Sequence, residues 1–461
     1  MKRLLCYLMA ALLFLGLLTG CGQDEDSSES TSSITGEELL WDLANGFYEN
    51  LTQGNLEPCY AMFSEEMKNQ LSYQDLQSLW EQILFLFGEY VSSGDFEASM
   101  VEEAVYYRVI ATFSNTDALV EFSLKNEEII GLYFTPYDPE LQNTEGVAAD
   151  VPLPEGVSEM EVTVNAGTDL ELSGRITYPS EYEGGIPGVV LVHGSGPSDM
   201  DETIQSNKIF RDLAYGLASK GVAVLRYDKV TYTYGEVYGQ EITIDQETVN
   251  DAVAAKEALA SSGLNLEKIY VVGHSLGGMM APKIAELGDF DGMVIMAGTP
   301  RSLIDVIYDQ NLYLLSLYTG EEAKTQLEEV EELYREALEI MAGDEITADQ
   351  TIFGLPATYF ASMDIGAESA RSYLEQTEKP MLILQGSNDF QVTADNDFAV
   401  YRQIVGGREN VTMYLYSGLN HLFMTSWMDW PTVEEYAMAG QVNEDVISDI
   451  GDWILNGDGA Q

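Results

Sequence analysis

The chain has 461 residues, 46% of them hydrophobic, enough for two folded domains with sizeable cores rather than a disordered polymer. Twenty-one Lys and Arg stand against 77 Asp and Glu, a formal net charge of −56. Such a charge repels phosphate backbones and excludes nucleic acid as a partner; spread along the chain, it makes a solvated, aggregation-resistant surface.

At the N-terminus, Lys2 and Arg3 precede an apolar run from Leu4 to Leu18 that is short for a transmembrane span. The run ends in Leu18-Thr19-Gly20-Cys21, which resembles the lipobox of bacterial lipoproteins. That resemblance implies that residues 1–20 are a signal peptide, that Cys21 carries a diacylglyceryl group, and that the protein is anchored on the extracytoplasmic face of a bacterial cell membrane. Residues 21–34, acidic and serine-rich, then read as a flexible tether. With Cys6 removed and Cys21 lipidated, Cys59 has no partner for an internal disulfide, and is expected to be a small buried apolar residue.

Residues 35–137 read as a small α+β domain. Leu39, Leu40, Leu43, Phe47 and Leu51 fall at helical spacing between Thr35 and Asn55. A second helix is expected from Leu56 to Leu71, and a third from Ser72 to Phe87, opening on a capping-box-like Ser72 and Asp75. Three β-rich runs follow, "EEAVYYRVIATF", "DALVEFSL" and "EIIGLYFTPY", separated by turn-like "SNTD" and "KNEE". Helices followed by an antiparallel meander resemble the cone-shaped nuclear-transport-factor-2-like fold. Residues 138–158, rich in proline, glycine and acids without periodicity, are the expected linker.

From residue 159 to 461 the pattern alternates. "GVVLVHG", "GVAVLRYD", "KIYVVGH", "GMVIMAG", "PMLILQG" and "NVTMYLYSG" are near-continuous apolar strands between helix-like segments, the mark of a mostly parallel sheet covered on both faces. The helical, acidic stretch of about 301–376 is an insertion between two strands, expected to cap their C-terminal ends.

Gly273-His274-Ser275-Leu276-Gly277 fits G-x-S-x-G directly after a strand and before a helix. A serine on so tight a turn needs glycines two residues away on each side, and the helix N-terminus behind it presents N–H groups to a developing negative charge. The chain's three histidines, His193, His274 and His421, all fall at strand ends on one side of the sheet. His421 follows the last strand and Asp389 the one before, so Ser275, Asp389 and His421 occur in the order of an α/β-hydrolase triad. Asp305, Asp395 and Asp397 are rival acids. His274 is expected to pack rather than react. The "HGSGP" loop after His193 should bring the Ser195 N–H opposite that of Leu276 as an oxyanion hole. Asp199, Asp201, Glu202, Arg226, Asp228 and Lys229 are expected to form ion pairs beneath the site. Metal-ligand spacing and a nucleotide-binding glycine loop are both missing, so neither metal nor cofactor is expected.

These motifs, with "HGSGPSDMDETI" and "FRDLAYGLASKGVAVLRYDK", resemble the α/β-hydrolase superfamily and, within it, a branch of bacterial carboxylesterases. The resemblance implies hydrolysis of small carboxylic esters through an acyl-enzyme. Two other functions remain open at this level: a serine peptidase or amidase acting on short peptides, and a non-catalytic surface binding lipoprotein.

Overall fold

The computed structural model describes residues 37–137 and 151–456, apart from 95, 102, 103, 115, 116, 239–241, 318–320, 344, 348, 367, 368 and 429. The lipobox, Cys21 and most of the expected linker lie outside the described residues. Two compact units divide between Glu145 and Gly146.

In the first unit, helices α1 (Glu37–Thr52), α2 (Leu56–Ala61), α3 (Glu65–Gln70) and α4 (Tyr73–Phe87) precede strands β1 (Tyr90–Ser93), β2 (Glu97–Val101), β3 (Ala104–Phe113), β4 (Asp117–Lys125) and β5 (Glu128–Tyr137). The strands form an antiparallel sheet in the order β1-β3-β4-β5, with β2 also paired to β3. Phe47, Leu51, Phe63, Trp80, Tyr107 and Phe122 are buried between helices and sheet. Cys59 is buried with them, and burial pushes its thiol up to about 12.

The single helix expected over Leu56–Leu71 is two helices. Its backbone leaves the helix at Met62-Phe63-Ser64 because β5 claims the hydrogen bonds: Ser64 N–H donates to Ile129 O at 2.9 Å, and Ile129 N–H to Met62 O at 2.8 Å. The Ser64 hydroxyl then caps α3 by accepting from Met67 N–H at 3.2 Å. Strands β1 and β2, too short and polar to stand out in the sequence, are additions to the expected three.

The second unit is built on a mostly parallel sheet with helices on both faces. Its strands are β6 (Val157–Val164), β7 (Leu172–Pro179), β8 (Ile186–Val192), the two-residue β9 (Thr203–Ile204) and β10 (Asn207–Lys208), β11 (Ala223–Tyr227), β12 (Leu266–His274), β13 (Gly292–Met296), the two-residue β14 (Thr351–Ile352) and β15 (Leu355–Pro356), β16 (Met381–Gly386) and β17 (Val411–Tyr416). Eight of them build the main sheet in the order β17-β16-β13-β12-β8-β11-β7-β6, parallel from β17 to β11 and antiparallel at the β7 and β6 edge. The edge hairpin was not legible, because "VSEMEVTV" alternates polar and apolar instead of forming an apolar run. It begins at Val157, inside the expected linker.

The apolar runs are explained by the two faces. Val190, Val192, Val271 and Ile295 point to one core, Val189, Leu191, Val272 and Val294 to the other. Helices α5 (Ile209–Ser219) and α14 (Glu444–Leu455) cover the second face; α7 (Asn250–Ala260) and α8 (Leu276–Leu287) cover the first, and the short α6 (Val230–Tyr238) and α13 (Ala399–Ile404) come after β11 and β16. Helices α9 (Leu303–Ser316), α10 (Glu321–Met341), α11 (Ala357–Asp364) and α12 (Ala370–Gln376) occupy the insertion between β13 and β16, as expected for the cap segment.

Replacing Ser64 by Ala removes the cap at the helix break and should cost about 1 kcal/mol of stability. Chemical denaturation of the variant and the wild type checks this.

Candidate active site

Strand β12 runs into α8 through one residue. Ser275 sits there at φ +52° and ψ −114°, and its N–H donates to Met296 O at 2.9 Å. Its two flanking glycines are required by contact. A Cβ on Gly273 would lie 2.2 Å from the Gly277 carbonyl oxygen, and a Cβ on Gly277 would lie 2.2 Å from that of Val192. Any side chain at either position would push α8 off the sheet and open the turn. Leu276 begins α8, where the first N–H groups have no partner within the helix.

His421 lies beyond β17, buried at 5% exposure. Its Nδ1–H donates to Asp389 Oδ2 at 2.8 Å. Asp389 is itself buried and saturated: Oδ1 accepts from the Gln391 and Val392 N–H groups at 2.9 Å each, and Oδ2 also accepts from Gln385 Nε2 at 2.9 Å. The rival acids are engaged elsewhere. Asp305 accepts from the Tyr334 hydroxyl at 2.7 Å, and Asp397 binds Thr299 at 2.6 Å and Arg301 at 2.8 Å. Asp395 is exposed.

Ser275, Leu276, His421, Gly194 and Ser195 line one cavity of about 410 Å³. Leu303 and Val306 of α9 line it as well, so the insertion reaches the cavity. Leu314 and Leu315, further along α9, are partly buried against the two cores.

The loop after β8 is held by charge. Lys229, 2% exposed, donates to Gly194 O at 2.7 Å and pairs with Glu247 at 2.6 Å; the Tyr359 hydroxyl donates to the other Glu247 oxygen at 2.8 Å. Gly194 N–H is taken by Glu202 Oε1 at 2.6 Å. Arg226, 1% exposed, pairs with Asp201 and Glu159. Asp228 accepts from Met200 N–H at 2.8 Å, and burial raises its carboxyl to about 6. Of the ion pairs expected among these residues only Arg226–Asp201 forms; Asp199 and Asp228 instead accept hydrogen bonds from the loop, and the partners of Lys229 and Arg226, Glu247 and Glu159, lie far off in sequence and were missed. An acid predicted only by local spacing to a basic residue could not have found them.

Residues 188–426 match a family model described as serine aminopeptidase, S33. The chain belongs to this family of α/β-hydrolases. It is also 36% identical, over 410 residues, to an esterase named EstD from Thermotoga maritima, covering 89% of this chain and 94% of that one. Residues 44–132 match a second family model, described as a protein of unknown function. Among solved structures, an esterase of Pyrococcus furiosus matches at 16% identity and a TM-score of 0.39, covering 66% of this chain and 91% of that one. A proline iminopeptidase of Mycobacterium smegmatis matches at 16% identity and a TM-score of 0.40, covering 64% and 98%.

The third histidine is structural. His193 Nε2–H donates to Asp199 O at 3.0 Å, and its ring packs between Phe210 and Tyr227 at 4.9 and 5.3 Å. Burial, against the opposing pull of Glu202, lowers its pKa from 6.5 to about 4. An unfolded imidazole takes a proton near 6.5 and the native ring only near 4, so this ring's contribution to stability is complete above pH 6.5 and is lost as pH falls to 4. The loss should reach roughly 3 kcal/mol. NMR titration should find one ring neutral down to about pH 4, its signal absent in His193→Gln.

Proposed function

We propose that the protein is a serine carboxylesterase acting on small carboxylic esters. The observation that carries this reading is the His421–Asp389 hydrogen bond of 2.8 Å, opening on the cavity that Ser275 also lines from its strained turn. With Nδ1–H committed to Asp389, the His421 Nε2 is left to take the Ser275 proton as Oγ attacks the ester carbonyl. Asp389 holds that tautomer and stabilises the imidazolium that forms. The N–H groups of Ser195 and Leu276 receive the oxyanion. Gly194 N–H is already bound by Glu202, which supports Ser195 as the donor from that loop. The alcohol leaves with the proton returned by His421, and water then attacks the acyl-enzyme by the same route in reverse. Similarity to EstD supports an ester as substrate.

The description of the matched family, an aminopeptidase, favours a second reading in which the same machinery cleaves short peptides. Matched ester and amide substrates with the same acyl group discriminate the two. The proposed reading expects ester turnover to dominate; faster amide turnover would reverse it.

Ser275→Ala should abolish hydrolysis and labelling by a fluorophosphonate probe while leaving the melting temperature nearly unchanged. Asp389→Asn should lower kcat by about 10⁴, the loss known for the serine-protease template. Asp305→Asn should remain active; if it is dead and Asp389→Asn is not, the acid has been misassigned.

We also propose, from Leu18-Thr19-Gly20-Cys21, that Cys21 is lipidated and anchors the enzyme at the membrane. Two acyl chains suffice for stable anchoring where one does not. Cys21→Ser should block lipidation and membrane retention without loss of catalysis. Cell fractionation and the mass of the N-terminal peptide check this, and an unlipidated wild-type protein would end the idea.

A further inference from the structure

Two buried ionisable groups face the same cavity without a task in the mechanism above: Glu202 and His274, at 2% and 1% exposure. Glu202 has a left-handed φ of +48°, a conformation a glutamate holds only under constraint. Asp199 supplies the constraint. Its carboxylate accepts from the N–H groups of Asp201 and Thr203 at 3.2 and 3.0 Å and from the Thr203 hydroxyl at 2.7 Å, while its carbonyl accepts the Glu202 N–H at 3.0 Å. The turn aims Glu202 inward.

There its carboxylate spans two partners. Oε1 accepts the Gly194 N–H at 2.6 Å, and Oε2 lies 3.1 Å from His274 Nδ1, an ion-pair contact off the line of a hydrogen bond. The other ring nitrogen of His274, Nε2, donates to the backbone carbonyl of His421 at 2.9 Å. Each nitrogen therefore faces an oxygen that can only accept. A neutral imidazole carries one N–H, which the His421 carbonyl takes, and then turns a bare nitrogen to the carboxylate; the imidazolium keeps that hydrogen bond and sets a positive charge against Glu202. Electrostatics points the same way. Burial opposes charge on His274, but the Glu202 carboxylate, together with the His421 carbonyl and Asp389, raises the ring above its ordinary pKa. Burial likewise opposes charge on Glu202, and His274 with the Gly194 N–H and His193 together lower the carboxyl. The remaining ionisable groups around the ring are His421, 4.9 Å away between centroids, Asp389 and His193, the last kept neutral by burial.

We propose that Glu202 and His274 form a standing buried charge pair that positions both halves of the catalytic apparatus. Glu202 holds the Gly194 peptide, so that the next amide, that of Ser195, faces the cavity. His274 holds the backbone of His421. The spacing between oxyanion donor and general base is thus set through one ion pair rather than through the triad itself. Both act as positioning residues, through Ser195 and His421, and the proposal rests on the serine-hydrolase reading above.

Glu202→Gln keeps the shape and one acceptor but removes the charge. It should lower kcat about 10- to 100-fold, the range expected when catalytic groups shift by a fraction of an ångström, with KM within about threefold of wild type. A purely structural residue would not do what is expected next: with the carboxylate gone, burial strips His274 of its proton, so the deficit of this variant relative to wild type should be full at neutral pH and shrink as pH falls from 7 toward 5, when the ring is charged again. His274→Gln should lose kcat to a similar extent, and the double variant should be no worse than the worse single, since both remove one interaction. Unchanged kcat and pH profile in Glu202→Gln overturn the proposal. Should the variants not fold, wild-type protein labelled with ¹⁵N-histidine decides: residue 274 should keep protons on both ring nitrogens to higher pH than an ordinary imidazole does, and a ring that is singly protonated throughout that range overturns it. Fluorophosphonate labelling separates the two readings. Wild type labelled at Ser275 with normal turnover in Glu202→Gln removes the charge pair alone; wild type that is not labelled removes the serine reading, and the positioning role with it.

Discussion

The second unit is organised by a close approach. Strand β12, strand β8 and helix α8 meet where Gly273 and Gly277 leave no room for a single carbon: 2.2 Å from a carbonyl oxygen in each case. That contact fixes Ser275 in a left-handed turn and seats the N-terminus of α8 directly behind it. A helix begun there has unsatisfied N–H groups and a partial positive charge aimed at the cavity. The same contact brings the end of β8, and hence the Gly194–Ser195 loop, to the opposite wall. Were α8 a few tenths of an ångström further out, the turn, the donor and the loop would all lose register together.

Around this apolar clasp the chain places an unusual amount of buried charge. Gly194 is gripped from both sides, its carbonyl by Lys229 and its amide by Glu202. Each charge in turn has its counterion in Glu247 or His274. Buried ion pairs seldom add stability over an apolar core of equal volume, but breaking one by removing a partner costs about 3–5 kcal/mol. They therefore act less as glue than as a demand for one arrangement. A loop of small residues such as "HGSGP" could adopt many conformations; these pairs leave it one. In a protein with a net charge of −56, each lysine and arginine buried among the described residues, Arg211, Arg226, Lys229 and Lys283, is paired to a carboxylate.

Legibility in the sequence followed the range of the forces involved. The parallel strands could be read because burial on both faces makes them continuously apolar, and the edge strands β6 and β7 could not because they alternate like any exposed segment. Helix α1 announced itself by period, whereas the break between α2 and α3 is imposed by Ile129, more than sixty residues away in the chain, and has no local signature beyond Ser64. The Ser275 elbow was legible for a steric reason confined to five residues. His421 was legible because histidines are so few.

What the sequence determined by itself was therefore the chemistry available: a serine between glycines after a strand, a histidine after the last strand, and several carboxylates near the ends of the others. Which carboxylate meets His421 was decided by tertiary structure. Asp389, Asp395 and Asp397 lie within nine residues, but the turn after β16 closes on Asp389 Oδ1 through two backbone N–H groups and turns Oδ2 toward His421, while Asp397 is drawn off to Arg301. The role of His274 was decided in the same way. Its place in the motif suggested packing, and only the folded loops bring Glu202 and the His421 carbonyl to its two nitrogens. Local sterics and periodicity are written in neighbouring residues; the choice among equivalent polar partners is made where distant loops converge, and no stretch of sequence contains that meeting point.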